Sequence, residues 1–158
     1  MNKSEQIISC TFDSPIGRMY LGATDEGLCH LKWSPVANSI EGMTPILEAT
    51  YLQLSEYFSG ERKQFDIPLV LLHGTVFQKS CWLALAKIPY GTTISYGQEA
   101  EWIGNTKAVR AVGQANHRNP IAIILPCHRV IGSNGSMVGY GGGLDKKHYL
   151  LELERRYR

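Results

Sequence analysis

The apolar pattern of this chain changes period near Thr75, and that change restricts the folds open to it. Before Thr75 the pattern is strand-like and frequently broken. Ile7 to Phe12 reads as a strand, Asp13-Ser14-Pro15-Ile16-Gly17 as a turn, and Met19 to Ala23 as a second strand. Asp25-Glu26-Gly27 turns the chain again into Leu28 to Trp33. Thr44-Pro45 is a suitable cap and first-turn pair for a helix carrying Ile46, Leu47, Thr50, Tyr51, Leu54, Tyr57 and Phe58 on one stripe, ended by Ser59-Gly60. A helix of this kind covers one face of a short antiparallel sheet. Residues 60–74, with Pro68 and Gly74, read as a linker.

From Thr75 the period is helical. Phe77, Cys81, Ala84, Leu85 and Ile88 share a face, which makes Cys81 a core residue, and Pro89-Tyr90-Gly91 stops the helix. A short helix from Gly97 to Ile103 precedes Gly104-Asn105. The next helix is expected to start at an N-cap on Thr106 and to run to about His117. Helix, tight glycine-containing turn, helix is the outline of a helix-turn-helix. On its second helix Lys107, Arg110, Gln114 and His117 fall three and four apart and line one side, while Ala108, Val109, Val112 and Ala115 line the other. The small apolar side lets the helix approach a neighbour closely, and the polar side offers donors to phosphates or base edges. The expected architecture is α+β, with a small α/β lobe and linker at 1–74 and a mainly helical, winged helix-turn-helix-like domain at 75–158.

Charge agrees with a polyanion-facing end. Residues 1–106 hold 7 Lys/Arg against 11 Asp/Glu, and residues 107–158 hold 9 against 3. The 158 residues, 44% of them hydrophobic, suffice for a packed core and exclude intrinsic disorder. The start, Met-Asn-Lys-Ser-Glu-Gln, lacks the apolar stretch of an export signal, and no run has the length of a membrane span. The expectation is a cytoplasmic monomer with no membrane association. Cys10, Cys29, Cys81 and Cys127 contain no CxxC pair, which favours free thiols over disulfides or zinc ligation.

The chemistry concentrates in Ile121 to Ile131. A β-like apolar run, Ile121-Ala122-Ile123-Ile124-Leu125, delivers Pro126-Cys127-His128-Arg129 and Val130. The run places Cys127 near the floor of a pocket, and Pro126 restrains the backbone leading into it. A thiol attacks carbon as thiolate, and with a free pKa near ~8.5 it needs help at neutral pH, from His128 or from Arg129. Taken alone, a Cys-His pair is also what a buried thiol beside a satisfied histidine looks like.

Five segments together decide the reading: Ile94-Ser95-Tyr96-Gly97-Gln98; Lys107 to Gly113; Asn119-Pro120-Ile121; Pro126 to Gly132; and Gly139-Tyr140-Gly141-Gly142-Gly143-Leu144. In these the chain closely resembles the O6-alkylguanine-DNA alkyltransferases, from about Thr75 onward and, more weakly, through Asp13-Ser14-Pro15-Ile16-Gly17. The resemblance implies a first lobe of ribonuclease H-like fold. It also implies a single-turnover repair reaction in double-stranded DNA containing O6-alkylguanine, with O4-alkylthymine a further candidate. Cys127 is then the alkyl acceptor, His128 the base acting through a water, and Glu154 the carboxylate that orients His128. Glu154 also lies on the Leu150/Leu151 side of the last helix, where an inward carboxylate would favour imidazolium and hence thiolate. The lesion sits inside a duplex, so the nucleotide must be flipped out. The resemblance makes Arg110 the finger that fills the gap from the minor-groove side. Tyr96 assists rotation and donates to the purine, Asn119 braces the turn before the active-site segment, and Val130, Tyr140 and Gly141 belong to the guanine pocket. Lys107, Gln114 and His117 complete the DNA-binding face.

The departures bear on cofactors. Where some relatives bind zinc in the first lobe, the matching positions are Glu5, Thr24 and Cys29, so neither metal nor other cofactor is expected. Tryptophan replaces the reactive cysteine in a related group of damage-binding proteins; Cys127 argues against that class, and the expectation is a single-function form without an adaptive-response regulatory domain. The glycines at 141–143 have a plain structural use as well, as positions able to take positive φ. Two competing readings are a non-enzymatic helix-turn-helix DNA-binding protein, which leaves the Pro-Cys-His run unexplained, and a cysteine hydrolase, which normally draws its histidine from a distant segment.

Overall fold

The computed structural model describes residues 6–135, 137 and 139–158; Glu5 and the rest of the first five residues lie outside them. The chain divides between Leu72 and His73 into two compact units, each with its own core.

In the first unit, strands β1 (Ile7–Ser14), β2 (Gly17–Ala23), β3 (Leu28–Lys32) and β4 (Ser39–Glu41) form a sheet in the order β3-β2-β1-β4. β1 and β2 are antiparallel from Ile8 opposite Ala23 to Ser14 opposite Gly17, so the turn at Pro15-Ile16 sets the register. β4, which the apolar pattern did not signal, adds parallel to β1 over three residues. Met19, Leu21 and Ala23 alternate inward on β2. Helix α1 (Pro45–Phe58) starts where Thr44 Oγ1 accepts from the Leu47 N–H, with Pro45 in its first turn. It contributes Leu47, Thr50, Leu54 and Tyr57 to the core, while Tyr51 is exposed yet meets Phe12 edge-to-face at 4.9 Å. Residues 60–74 are not a free linker. The Leu28 N–H donates to the Pro68 carbonyl, Val70 donates back to Leu28, and Ile67 is buried, so this stretch extends the sheet edge at β3. Proline content misled there because Pro68 needs only its carbonyl to pair at an edge.

The second unit contains α2 (Val76–Leu85), β5 (Ile94–Ser95), α3 (Tyr96–Trp102), α4 (Val109–His117), β6 (Val130–Ile131) and α5 (Leu144–Tyr157). Capping boxes start α2 at Thr75/Gln78 and α3 at Ser95/Gln98. α2 ends at Leu85, earlier than the proline signal implied, although Ile88 remains buried. α3 and α4 form the helix-turn-helix, packed with α2 around Cys81, Ala100, Val112 and Ala115. Trp82, buried on α2, donates from Nε1 to the Ala115 carbonyl at 2.7 Å, and its ring leaves no room for a Cβ at Gly74, whose φ is +113°. β5 and β6 pair in parallel over two residues each. α4 starts later than expected, at Val109 after an Ala108 cap with no side-chain bond; Thr106 is not the cap. Lys107 therefore precedes the helix, and Val109 is exposed rather than on its buried side. Arg110, Gln114 and His117 do lie on the exposed side. Among the described residues no helix is long and apolar enough to cross a membrane.

Leu54→Ala should cost the first unit about 2–5 kcal/mol in urea denaturation, whereas Leu52→Ala, at an exposed position of the same helix, should change stability by less than about 0.5 kcal/mol. Equal effects would contradict the packing described.

Candidate active site

Cys127 opens a single 3-10 turn, Cys127–Arg129, directly before β6. The apolar run leading to it is not a strand. Residues 121–125 form consecutive tight turns, with Leu125 N–H bonded to the Ile121 carbonyl and Ile123 at φ +71°. Burial is all that a short apolar run encodes, and of these five residues Ile121 alone makes a β-bridge. Asn119 holds these turns. Its Oδ1 accepts from the Ile121 N–H at 3.0 Å, and its Nδ2 donates to the Leu125 carbonyl at 2.7 Å and to Cys127 Sγ at 3.3 Å. A β-branched residue at positive φ is strained, and the Asn119 clamp together with the burial of Ile121, Ile123 and Leu125 holds it.

Glu154, on α5, is 1% exposed and accepts four N–H bonds. Its Oε2 receives His128 Nε2 at 2.7 Å and Arg129 Nη2 at 2.9 Å; its Oε1 receives Arg129 Nε at 2.8 Å and the Gly91 N–H at 3.2 Å. Burial alone would raise this carboxyl, but His128 and Arg129 together hold it well below the usual carboxylate range. Arg129 is thus committed to Glu154 and to the Ile88 carbonyl, and is not a helper of the thiol. The expected imidazolium is not favoured either. His128 has no exposure, and desolvation depresses its pKa despite the carboxylate, which Arg129 already neutralises. With Nε2–H donating to Glu154, Nδ1 is left as a basic lone pair with no partner among the described residues. Burial pushes the Cys127 thiol up to about 11, against the opposing pull of Asn119 and Lys147. The resting pair is neutral thiol and neutral imidazole.

Cys127 is 8% exposed, at a cavity of about 30 Å³ that it shares with Tyr96, Gly113, Asn116, His117, Gly139 and Tyr140. That volume is enough for a water molecule. Burial, and secondarily Cys127, pushes the Tyr96 phenol up to about 12, and burial raises Tyr140 as well, so both hydroxyls stay protonated donors. Gly141 is outside the lining; a Cβ there would stand 3.2 Å from the His117 carbonyl. Positive φ occurs at Gly139 and Gly143 rather than at Gly141 or Gly142. Val130 is buried and offers its carbonyl to Lys147 Nζ at 2.6 Å. Lys147 also reaches the Gly139 carbonyl at 3.2 Å and lies 5.8 Å from the Tyr96 ring centroid. Burial brings its pKa down to about 8, with Cys127 acting in the other direction.

Sequence reasoning missed Lys147, Asn116 and Glu99, the last fully buried and bonded to Asn116. Helical spacing carried the signal: Lys147 lies on the Leu150–Glu154 stripe, Asn116 one turn after Val112, and Glu99 between Tyr96 and Ile103. None of the four cysteines is in a disulfide, and the described residues contain no cluster of three or more His, Cys, Asp or Glu that could hold a metal ion.

Comparison with known proteins matches the same two parts of the chain. Residues 7–71 match the ribonuclease-like domain of 6-O-methylguanine DNA methyltransferase, and residues 76–156 match its DNA-binding domain. The chain belongs to the 6-O-methylguanine DNA methyltransferase family. It is 51% identical to the methylated-DNA–protein-cysteine methyltransferase of Methanosarcina acetivorans, over 90% of this chain and 95% of that protein. Its counterpart in Mycolicibacterium paratuberculosis is 49% identical over 93% and 92%. Among solved structures, that of Mycobacterium tuberculosis OGT in complex with DNA superposes with a TM-score of 0.84 at 45% identity, covering 95% of this chain and 94% of that one.

The charge network should show in stability. Glu154 and His128 both have folded pKa values below their ordinary 4.5 and 6.5, so each stabilises fully above that ordinary value and loses its contribution as pH falls through its folded one. Glu154→Gln should destabilise by about 3–5 kcal/mol at pH 7.5, and the deficit should shrink below about pH 4.5, measured by urea unfolding across pH. A deficit independent of pH would contradict the assignment.

Proposed function

We propose that this protein repairs DNA by direct reversal, transferring the alkyl group of O6-alkylguanine irreversibly to Cys127, one lesion per molecule, in the cytoplasm and as a monomer. The observation that carries the reading is the run Cys127, His128, Glu154, with a nucleophile at the cavity, an adjacent histidine whose buried Nδ1 has no partner among the described residues, and a carboxylate bonded to its Nε2. Family membership and the methyltransferase names of the relatives support the same chemistry.

Arg110, exposed on α4, enters the duplex from the minor groove and takes the place of the flipped nucleotide, while Lys107, Gln114 and His117 contact the strands. As the base docks, the Cys127 proton passes through a bridging water to His128 Nδ1, and Glu154 stabilises the imidazolium that forms. Sulfur attacks the alkyl carbon in line, the carbon–O6 bond breaks, and its electron pair returns to the purine. The leaving guanine takes a proton from the Tyr96 hydroxyl, and the imidazolium proton returns through water to Tyr96, so His128 ends neutral and Tyr96 a phenol. Lys147 supplies positive charge while the sulfur is anionic. No cofactor enters the balance. The thioether is not reversed, so turnover is absent.

Incubation with duplex DNA bearing O6-methylguanine should add one methyl group to Cys127 by intact mass and peptide mapping, and Cys127→Ser should bind DNA without accepting it. An unmodified Cys127 would sink the proposal and favour a DNA-binding protein that only recognises damage. Arg110→Ala should slow repair of the duplex by about tenfold or more while reacting near normally with free O6-benzylguanine, since only the duplex requires flipping, at a few kcal/mol. Equal losses on both substrates would reject the finger role.

A further inference from the structure

Behind the cavity wall, apart from the Cys127–His128–Glu154 chain, lies a second buried acid. Glu99 on α3 is 0% exposed and Asn116 on α4 only 6%. Asn116 Nδ2 donates to Glu99 Oε1 at 2.6 Å. That one bond leaves Glu99 Oε2 and Asn116 Oδ1, both buried and both without a partner among the described residues. Both are acceptors if the acid is ionised. Glu154, the other buried acid of this unit, is ionised with four N–H donors around it. A carboxylate enclosed with a single hydrogen bond has no comparable compensation. A carboxylic acid and a primary amide, by contrast, complement each other at both edges. The amide N–H donates to the acid's carbonyl oxygen, and the acid's O–H donates in return. A proton on Glu99 supplies the one donor the pair lacks. Turning the amide around does not remove the need, because its oxygen would then face Oε1 at the same short distance.

We propose that Glu99 is a positioning residue for repair: as a neutral acid it locks Asn116 into the wall of the base pocket, and its ionisation frees that wall and sets a negative charge behind Cys127. The proposal rests on the alkyl-transfer reading above. Burial, opposed by the Asn116 N–H, pushes Glu99 up to about 7. The titratable groups facing it are Cys81 of α2, Tyr96 of its own helix and Cys127, which burial pushes up to about 11, 12 and 11 respectively. α4 contributes the uncharged Asn116, with His117 lining the same cavity from its exposed side. Glu99 is therefore placed to change charge near neutral pH while these buried neighbours stay neutral, and its charge disfavours the Cys127 thiolate.

Infrared difference spectroscopy of the full chain should show a protonated-carboxyl band at pH 6 that disappears with a midpoint near pH 7 and is missing in Glu99→Gln. In single-turnover repair of an O6-methylguanine duplex, the rate of Glu99→Gln should rise about tenfold more between pH 6 and pH 8.5 than that of the wild type, the equivalent of one pKa unit on the thiol. No band at pH 6, or superimposable rate profiles, would overturn the proposal. Should Glu99→Gln fail to fold, Asn116→Leu serves instead. Losing the N–H that favours the ionised form should move the band's midpoint upward, and an unmoved midpoint overturns the pairing. The band requires no DNA, so a wild-type protein that shows it but transfers no methyl group would refute the repair reading and leave the Glu99 pair intact.

Discussion

Four N–H groups converge on the carboxylate of Glu154, and the geometry of the active site follows from that convergence. His128 and Arg129 come from the turn that begins with Cys127, and the Gly91 N–H from the segment after α2. One buried charge thus holds α5, the 3-10 turn and the residue 88–91 stretch together. An uncompensated carboxylate at 1% exposure would be costly; one bonded at both oxygens to a guanidinium, an imidazole and a backbone amide is not. Arg129 satisfies the charge, which leaves His128 neutral. That division makes the imidazole a base rather than a standing cation.

The result is a nucleophile kept inert until needed. Burial holds Cys127 as a thiol, Asn119 fixes its sulfur, and Lys147 waits nearby with a charge that becomes useful only when the sulfur is anionic. A protein consumed by a single reaction gains from such restraint, because a permanently ionised cysteine would be lost to any passing electrophile. Two protonated phenols, Tyr96 and Tyr140, line the same cavity.

Much of this was legible in the residues themselves. The strands from Ile7 to Lys32, the Thr44-Pro45 start of α1 and the helix-turn-helix outline follow from local rules that the structure obeys. The inward face of Glu154 was readable from helical spacing. The turns at 121–125 were not, because an apolar run records burial and not backbone conformation, and what holds them is one asparagine side chain. Thr106 was a plausible cap by type, but the turn continues past it and α4 begins at Val109 without a side-chain cap. Glu99 and Lys147 sit in charged stretches, Gln98-Glu99-Ala100-Glu101 and Asp145-Lys146-Lys147-His148, that look solvated. Only the inward stripe on which each falls distinguishes it from its neighbours.

The central claim is that Cys127 rests as a neutral thiol and gives up its proton only when substrate is in place. Ultraviolet titration of the thiolate tests it directly, using a chain in which Cys10, Cys29 and Cys81 are replaced by alanine. The account predicts no thiolate at pH 7 and ionisation of Cys127 only toward about pH 11. A thiolate already present at pH 7 in the absence of DNA would contradict it.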